Sequence, residues 1–189
     1  MQKVSKDIHG ELIERCCKND GVAQLRIYEY YFKQMYNTSL RILNDPEEAE
    51  DVMQESFLDA FRKIHSYSGD GSFGGWLRRI VVNNSLDALR KRKNELSLDE
   101  ERIEIPDIED KYDENINYRA DEIKNAIKNL SDDDRIIISL FLFEGYDHDE
   151  ISQILSISNN TSRTRYSRAK KRLLRRLTVS RAESIFNLN

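Results

Sequence analysis

WLRRIVVNNSLDALRKRK, residues 76–93, sets the fold class. It holds no Gly or Pro, so a helix of about five turns can run through it. At about 100° per residue its side chains separate by chemistry. Leu77, Val81 and Ala88, with Val82, Leu86 and Leu89 beside them, make a broad apolar arc. Arg79, Asn83, Asp87, Arg90 and Lys91 fall on the remaining wedge, and Trp76 and Ile80 land in its middle. The helix runs out into Arg90-Lys91-Arg92-Lys93. An aromatic among Arg and Asn, ending in a basic cluster, suits nucleic acid. A solvated helix with a wide core stripe would show the same pattern, so neighbouring segments must decide.

Upstream, residues 44–64 read NDPEEAEDVMQESFLDAFRKI. Asp45 can cap a helix, Pro46 suits its first position, and Glu47 and Glu48 suit the positive end of its dipole. Ala49, Val52, Met53, Phe57, Ala60, Phe61 and Ile64 make a core face. The opposite edge carries Glu50, Asp51, Gln54, Glu55 and Asp59, which is either solvation or a docking surface for a basic partner. Before it, Leu12, Ile13 and Cys16 sit at helical spacing. In residues 22–43, Leu25, Tyr28, Phe32, Met35, Tyr36, Leu40 and Leu43 recur at three and four and predict a core face rich in aromatics. Ser66 to Gly75 (SYSGDGSFGG) is a loop holding four of the seven glycines, so the next helix is expected to start at Trp76 or later.

Past Lys93 the composition changes. From Asn94 to Ile116 ten acids face only Arg102 and Lys111. Such a stretch cannot bury enough apolar surface to order itself and reads as a flexible linker. The chain therefore divides into a helical domain 1–93, an acidic linker 94–116 and a second helical domain 117–189. The fold class is all-α. In the second domain, Ile123, Ala126, Ile127 and Leu130 form one amphipathic turn series. Ser131 and three Asp start another helix, and Gly145 ends it. Asp147 to Arg176 then gives helix, short turn, basic helix: a helix-turn-helix pattern. Ile151, Leu155, Ile157 and Tyr166 would seat the second helix on the first. Arg163, Thr164, Ser167 and Arg168 share a face that would meet bases, while Arg165, Lys171 and Arg172 are placed for phosphates.

Several classes drop out. Hydrophobic residues are 39% and charged residues 34%, with a formal net charge of −4. No segment is long or apolar enough to span a membrane, and MQKVSKDIHG is no signal peptide, so a cytoplasmic location without membrane insertion is expected. Cys16 and Cys17 are adjacent and lack metal-ligand spacing, so they read as a reduced pair without a role. His9, His65 and His148 are scattered. No carboxylate pair beside a His, no phosphate loop and no metal motif appears, so neither catalysis, a metal nor a cofactor is expected.

With those residues in view, the chain resembles the extracytoplasmic-function (ECF) sigma factors of the sigma-70 family. LIERCCKNDGVAQLRIYEYYFKQMYNTSLRILNDPEEAEDVMQESFLDAFRKI is similar to their region 2, which GSFGGWLRRIVVNNSLDALRKRK continues. LSDDDRIIISLFLFEGYDHDEISQILSISNNTSRTRYSRAKKRLLRRL is similar to region 4. The resemblance implies a subunit that binds core RNA polymerase and directs it to promoter DNA. Glu50, Asp51, Gln54 and Glu55 would dock on the clamp helices of the largest subunit, and region 4 on the flap. Ser66, Tyr67, Ser72, Phe73 and Trp76 would border the opened −10 element, with Arg79, Asn83, Asp87 and Arg90 along its strand. Trp76 could instead pack under the loop, which the adjacent glycines favour. The last helix would read the −35 element. An anti-sigma factor covering both DNA-binding domains, and a monomeric free state, are further implications. The chain departs from the family where Asn160-Thr161-Ser162-Arg163 replaces the common GTVK, placing Ser162 in a usually apolar seat. The alternative is a stand-alone helix-turn-helix regulator, which would bind a palindromic site without polymerase.

Overall fold

A computed structural model describes residues 9–96 and 120–186, with side chains described to residue 94 in the first stretch and residue 178 in the second. The expected linker falls almost entirely outside them. All described regular structure is helical, in two units divided after Leu96.

The first unit holds α1 (Gly10–Cys17), α2 (Gly21–Leu43), α3 (Pro46–Arg62), a 3₁₀ turn (Ile64–Ser66) and α4 (Phe73–Leu96). The two long starts are capped as side-chain chemistry dictates. Asp20 accepts from the backbone N–H groups of Val22 and Ala23, and Asp45 from those of Glu47 and Glu48, satisfying donors no helical carbonyl can reach. The Arg15 guanidinium, with those amides, holds the Asp20 carboxyl below its ordinary pKa. Helices α2, α3 and α4 pack on one another around Ile27, Met35, Met53, Phe57, Phe73, Leu77 and Val81. Cys16 is fully buried there, and burial pushes its thiol up to about 11, so it stays neutral.

Two expectations about these helices need correcting. Two members of the expected α2 face, Leu25 and Phe32, are 56% and 44% exposed, and Tyr30 is exposed too. Met35 and Leu43 are buried, and Tyr28 and Tyr36 pack against the core, but the buried stripe also takes in Ala23, Ile27, Thr38, Ser39 and Ile42. Small residues make it possible, since they let helices approach: the Ser85 hydroxyl lies 3.0 Å from that of Ser39 and donates to the Val81 carbonyl at 2.7 Å. Helix α4 begins at Phe73 rather than at Trp76. Gly74 is needed because a Cβ there would lie 2.8 Å from the Tyr31 ring. Ser72 offsets the glycine cost by accepting the Gly75 N–H on its hydroxyl and the Trp76 N–H on its carbonyl.

The second unit holds α5 (Ala120–Lys128), α6 (Asp132–Ile138), α7 (His148–Leu155) and α8 (Asn159–Phe186). Helix α6 widens at its end into a π turn, Ser139–Phe143, closed by a bond from the Glu144 N–H to the Ser139 carbonyl. Gly145, at φ 75°, then ends the segment. The core is Ile127, Leu130, Ile137, Ile138, Leu140, Ile151, Ala169, Leu173 and Leu177.

Candidate nucleic-acid and partner interfaces

Three exposed surfaces emerge. The first is the outer edge of α3. Its inner face buries Ala49, Val52, Met53, Ser56, Phe57 and Ala60, which turns Glu50, Asp51, Gln54 and Glu55 out to solvent. Gln54 donates to the Glu50 carboxylate at 3.3 Å. Asp59, one turn on, is drawn inward instead: it accepts from Arg62 and from Asn84 of α4. Asn84 also donates to the Ser56 hydroxyl, tying α4 to α3. Periodicity gave no sign of that tie, because an Asn on an exposed-looking wedge reads as solvated.

The second surface is the loop before α4 with the helix behind it. Ser66, Ser68 and Ser72 are exposed. The loop is held closed on itself. The Tyr67 hydroxyl donates to the Gly71 carbonyl at 2.8 Å, the Ser66 hydroxyl to the Lys63 carbonyl at 2.7 Å. Gly69 and Gly71 have φ of 82° and 98°, a region that favours glycine. Beneath the loop lie three rings: Tyr67 is 5.5 Å from Phe73 and 5.6 Å from Trp76, and Phe73 is 5.4 Å from Trp76. Trp76 is half-buried and packs under the loop, and Ile80 is half-buried beside the same core. Phe73, expected at the strand, is 0% exposed, because starting α4 at residue 73 turns its ring into the core. It supports the surface from below.

Along α4, Arg79, Asn83, Asp87 and Arg90 are all exposed. Asp87 and Arg90 pair at 2.8 Å, so one guanidinium is partly neutralised. The terminal basic cluster is also thinner than its sequence suggests. Arg92 folds back to Glu48 at 2.7 Å and donates to the Leu43 carbonyl, closing the unit.

The third surface is the helix-turn-helix of α7 and α8. Asp147 and Glu150 form a reciprocal cap at the start of α7, and Ser156, at φ 54°, reverses the chain. Ser158 caps α8 by accepting the Thr161 N–H, and Asn159 donates to Asp149 at 2.6 Å, which fixes the angle of α8 against α7. Ser162 occupies its seat without loss of order: fully buried, its hydroxyl meets His148 Nδ1 at 2.9 Å. His148 in turn stacks on Phe141, which the π turn presents, and Phe141 lies 4.3 Å from Tyr166. An apolar residue at position 162 is thus replaced by a hydrogen-bonded polar pair.

Ser162, Ala169, Leu173 and Leu177 point inward on α8, so Thr164, Ser167, Arg168 and Lys171 point out, with Arg163 and Arg165 exposed at the flanks. Arg163 Nε donates to Asn159, and the Thr164 hydroxyl to the Asn160 carbonyl. Arg172, expected at phosphate, is instead engaged with the buried carboxylate of Asp134 at 2.9 Å, because it stands over the start of α6. Among the described residues, no group of His, Cys, Asp and Glu is arranged to hold a metal, and no helix is long and apolar enough to cross a membrane.

Comparison with known proteins gives these surfaces a family. Residues 27–95 match the model of Sigma-70 region 2, and residues 120–173 that of Sigma-70, region 4. The RNA polymerase sigma-H factor of Pseudomonas aeruginosa is 31% identical over 173 residues, covering 85% of this chain and 89% of that one. The ECF RNA polymerase sigma factor SigW of Bacillus subtilis is 30% identical over 176 residues, covering 87% and 94%. Among solved structures, the sigma factor RpoE of Bartonella quintana, in complex with the anti-sigma factor NepR, shares the fold. Its TM-score is 0.58 at 23% identity, over 82% of this chain and 96% of that one. CnrH, solved with the cytosolic domain of CnrY, gives 0.51 at 17%, over 86% and 92%. With both regions matched in order and relatives alike over most of both lengths, the chain belongs to the ECF sigma factors of the sigma-70 family.

Proposed function

We propose that the three surfaces divide the work of a promoter-directing sigma factor as follows. The outer edge of α3, with Glu50, Asp51, Gln54 and Glu55, docks on the clamp helices of core RNA polymerase. The loop and the exposed wedge of α4 hold the opened −10 strand. The outer face of α8 reads the −35 duplex, and its unit rests on the polymerase flap. The observation that carries this is the separation of charge by face. The α3 edge is acidic and would be repelled by DNA, so its partner is a basic protein surface. From Asn159 to Thr178, α8 carries no acid, and its exposed side bears Arg163, Arg165, Arg168 and Lys171. The family to which the chain belongs consists of non-enzymatic initiation factors.

Capture of a flipped base costs a few kcal/mol, more than a small loop offers alone. The proposal meets this by having polymerase hold the duplex while Tyr67 and Trp76 stiffen the loop that receives the base. Each weak contact then works at high local concentration. Free chain should accordingly bind promoter duplex weakly. The solved complex of RpoE with the anti-sigma factor NepR supports an anti-sigma partner for this chain as well, and we read the free chain as a cytoplasmic monomer. Family membership favours this reading over a stand-alone regulator.

Arg168 tests the duplex-reading part. It stands on the outward face of α8, and its removal leaves the Ser162–His148 seat untouched. Arg168→Ala is expected to cost about 1–3 kcal/mol at one upstream base pair if the contact is bidentate. The measurement is run-off transcription by reconstituted holoenzyme on templates mutated singly through the upstream element. A uniform loss over all templates would mark Arg168 as a phosphate contact, and no loss would remove it from the interface.

A further inference from the structure

We infer that Leu58 is the apolar anchor of the acidic α3 edge, and that its socket lies on a basic helical surface of the polymerase. The inference rests on the reading of α3 as the polymerase face and adds what holds the contact once charge has brought the partners together.

Leu58 is 55% exposed, on a helix whose inward positions are all taken by Ala49, Val52, Met53, Ser56, Phe57 and Ala60. It cannot turn into the core. Counting along α3, it follows Glu55 by three residues, Gln54 by four and Asp51 by seven, so these side chains flank it on the N-terminal side of one face, while Phe61 and Arg62 follow it by three and four. A single exposed leucine is ordinary on a protein surface. Its acidic neighbours make this one different. Among the described residues, Glu50, Asp51 and Glu55 form no ion pair, whereas Glu48 is held by Arg92 and Asp59 by Arg62 and Lys63. An aliphatic group bordered by uncompensated charge matches the edge of an interface centre, where desolvated apolar groups carry affinity and flanking charges set register. The partner's chemistry follows by complementarity: lysines or arginines flanking an apolar recess.

The two contributions separate kinetically. Rim charges steer encounter and respond to salt, while a buried anchor governs dissociation. The test is binding of the full chain to core RNA polymerase at two salt concentrations, with rates, for Leu58→Ser, Leu58→Met, the pair Asp51→Ala with Gln54→Ala, and Val22→Ser. Val22 is a comparably exposed aliphatic side chain of the same unit, at the start of α2 rather than on α3. Leu58→Ser is expected to bind about thirtyfold more weakly, chiefly through faster dissociation and with the wild-type salt dependence, which corresponds to roughly 2 kcal/mol. Leu58→Met should stay within about threefold, since it refills the recess, and Val22→Ser should match wild type. If Leu58→Ser binds like wild type while the Asp51/Gln54 variant does not, the anchor is refuted and the acidic docking face survives. If both bind like wild type, the polymerase reading of α3 falls and takes the anchor with it. An equal loss in Val22→Ser would show that the effect is not specific to this position, which also overturns the inference.

Discussion

Replacing Asp51 and Gln54 together by alanine is expected to abolish detectable binding to core RNA polymerase while leaving the chain folded. Both side chains are exposed on α3, and among the described residues the only side-chain bond at stake is the one Gln54 makes to Glu50. Surface substitutions of this kind shift stability by less than about 0.5 kcal/mol. Truncating one member of a charged or hydrogen-bonded pair across an interface costs about 2 kcal/mol or more, because the partner's group is left unpaired, so the double change should weaken binding by at least several hundredfold. Pull-down with core enzyme reads the first effect, and circular dichroism with thermal melting reads the second. Retained binding would mean that the acidic edge is solvation. Lost binding with lost helicity would mean that the edge holds α3 together, which its bonding does not suggest. Glu48→Ala makes a useful contrast. It breaks the 2.7 Å pair with Arg92 and so should loosen the join of α3 to α4 before it touches polymerase.

Phe73→Ala is expected to destabilise the first unit by about 3–5 kcal/mol, the cost of emptying a large buried ring site. Such a loss is a large part of a small unit's whole stability. The ring has no solvent exposure and sits among Tyr31, Tyr67 and Trp76, so its removal undermines the loop from beneath. Trp76, the single tryptophan, supplies the signal: denaturant unfolding followed by its fluorescence should show a lower midpoint. Phe73→Leu should recover most of the loss. If Phe73→Ala kept its midpoint yet failed in promoter opening, the ring would have to reach the DNA strand, and its packing role would be wrong.

Two helix starts were legible because few chemical signals compete there. Asp45 before Pro46 and Ser131 before three Asp cap the helices they announce. The acidic edge of α3 was legible for the same reason, since five polar residues on one side of a strong apolar stripe admit one orientation. What escaped detection turns on small and polar residues. Ser39, Ser56, Asn84 and Ser85 join α2, α3 and α4 by hydrogen bonds, and a hydrophobicity pattern gives them no weight. It therefore placed Leu25 and Phe32, which are exposed, on the buried face of α2 and left out Ala23, Thr38 and Ser39, which are buried. Arg92 and Arg172 read as DNA contacts because a cation in a basic run looks available. Their partners, Glu48 and Asp134, lie 44 and 38 residues away in the chain, beyond the reach of any local pattern. Gly74 and Gly75 read as a late helix start, whereas packing against Tyr31 and the Ser72 cap made them its first turn.

One measurement bears most directly on the whole account: run-off transcription by core RNA polymerase with a genomic fragment library, with and without this chain. Transcripts are expected that require both core enzyme and chain, from start sites that share two short sequence blocks at a fixed separation, one for α8 and one for the loop and α4. Transcription indifferent to the chain, together with tight binding of the chain alone to a palindromic duplex at physiological salt, would contradict it.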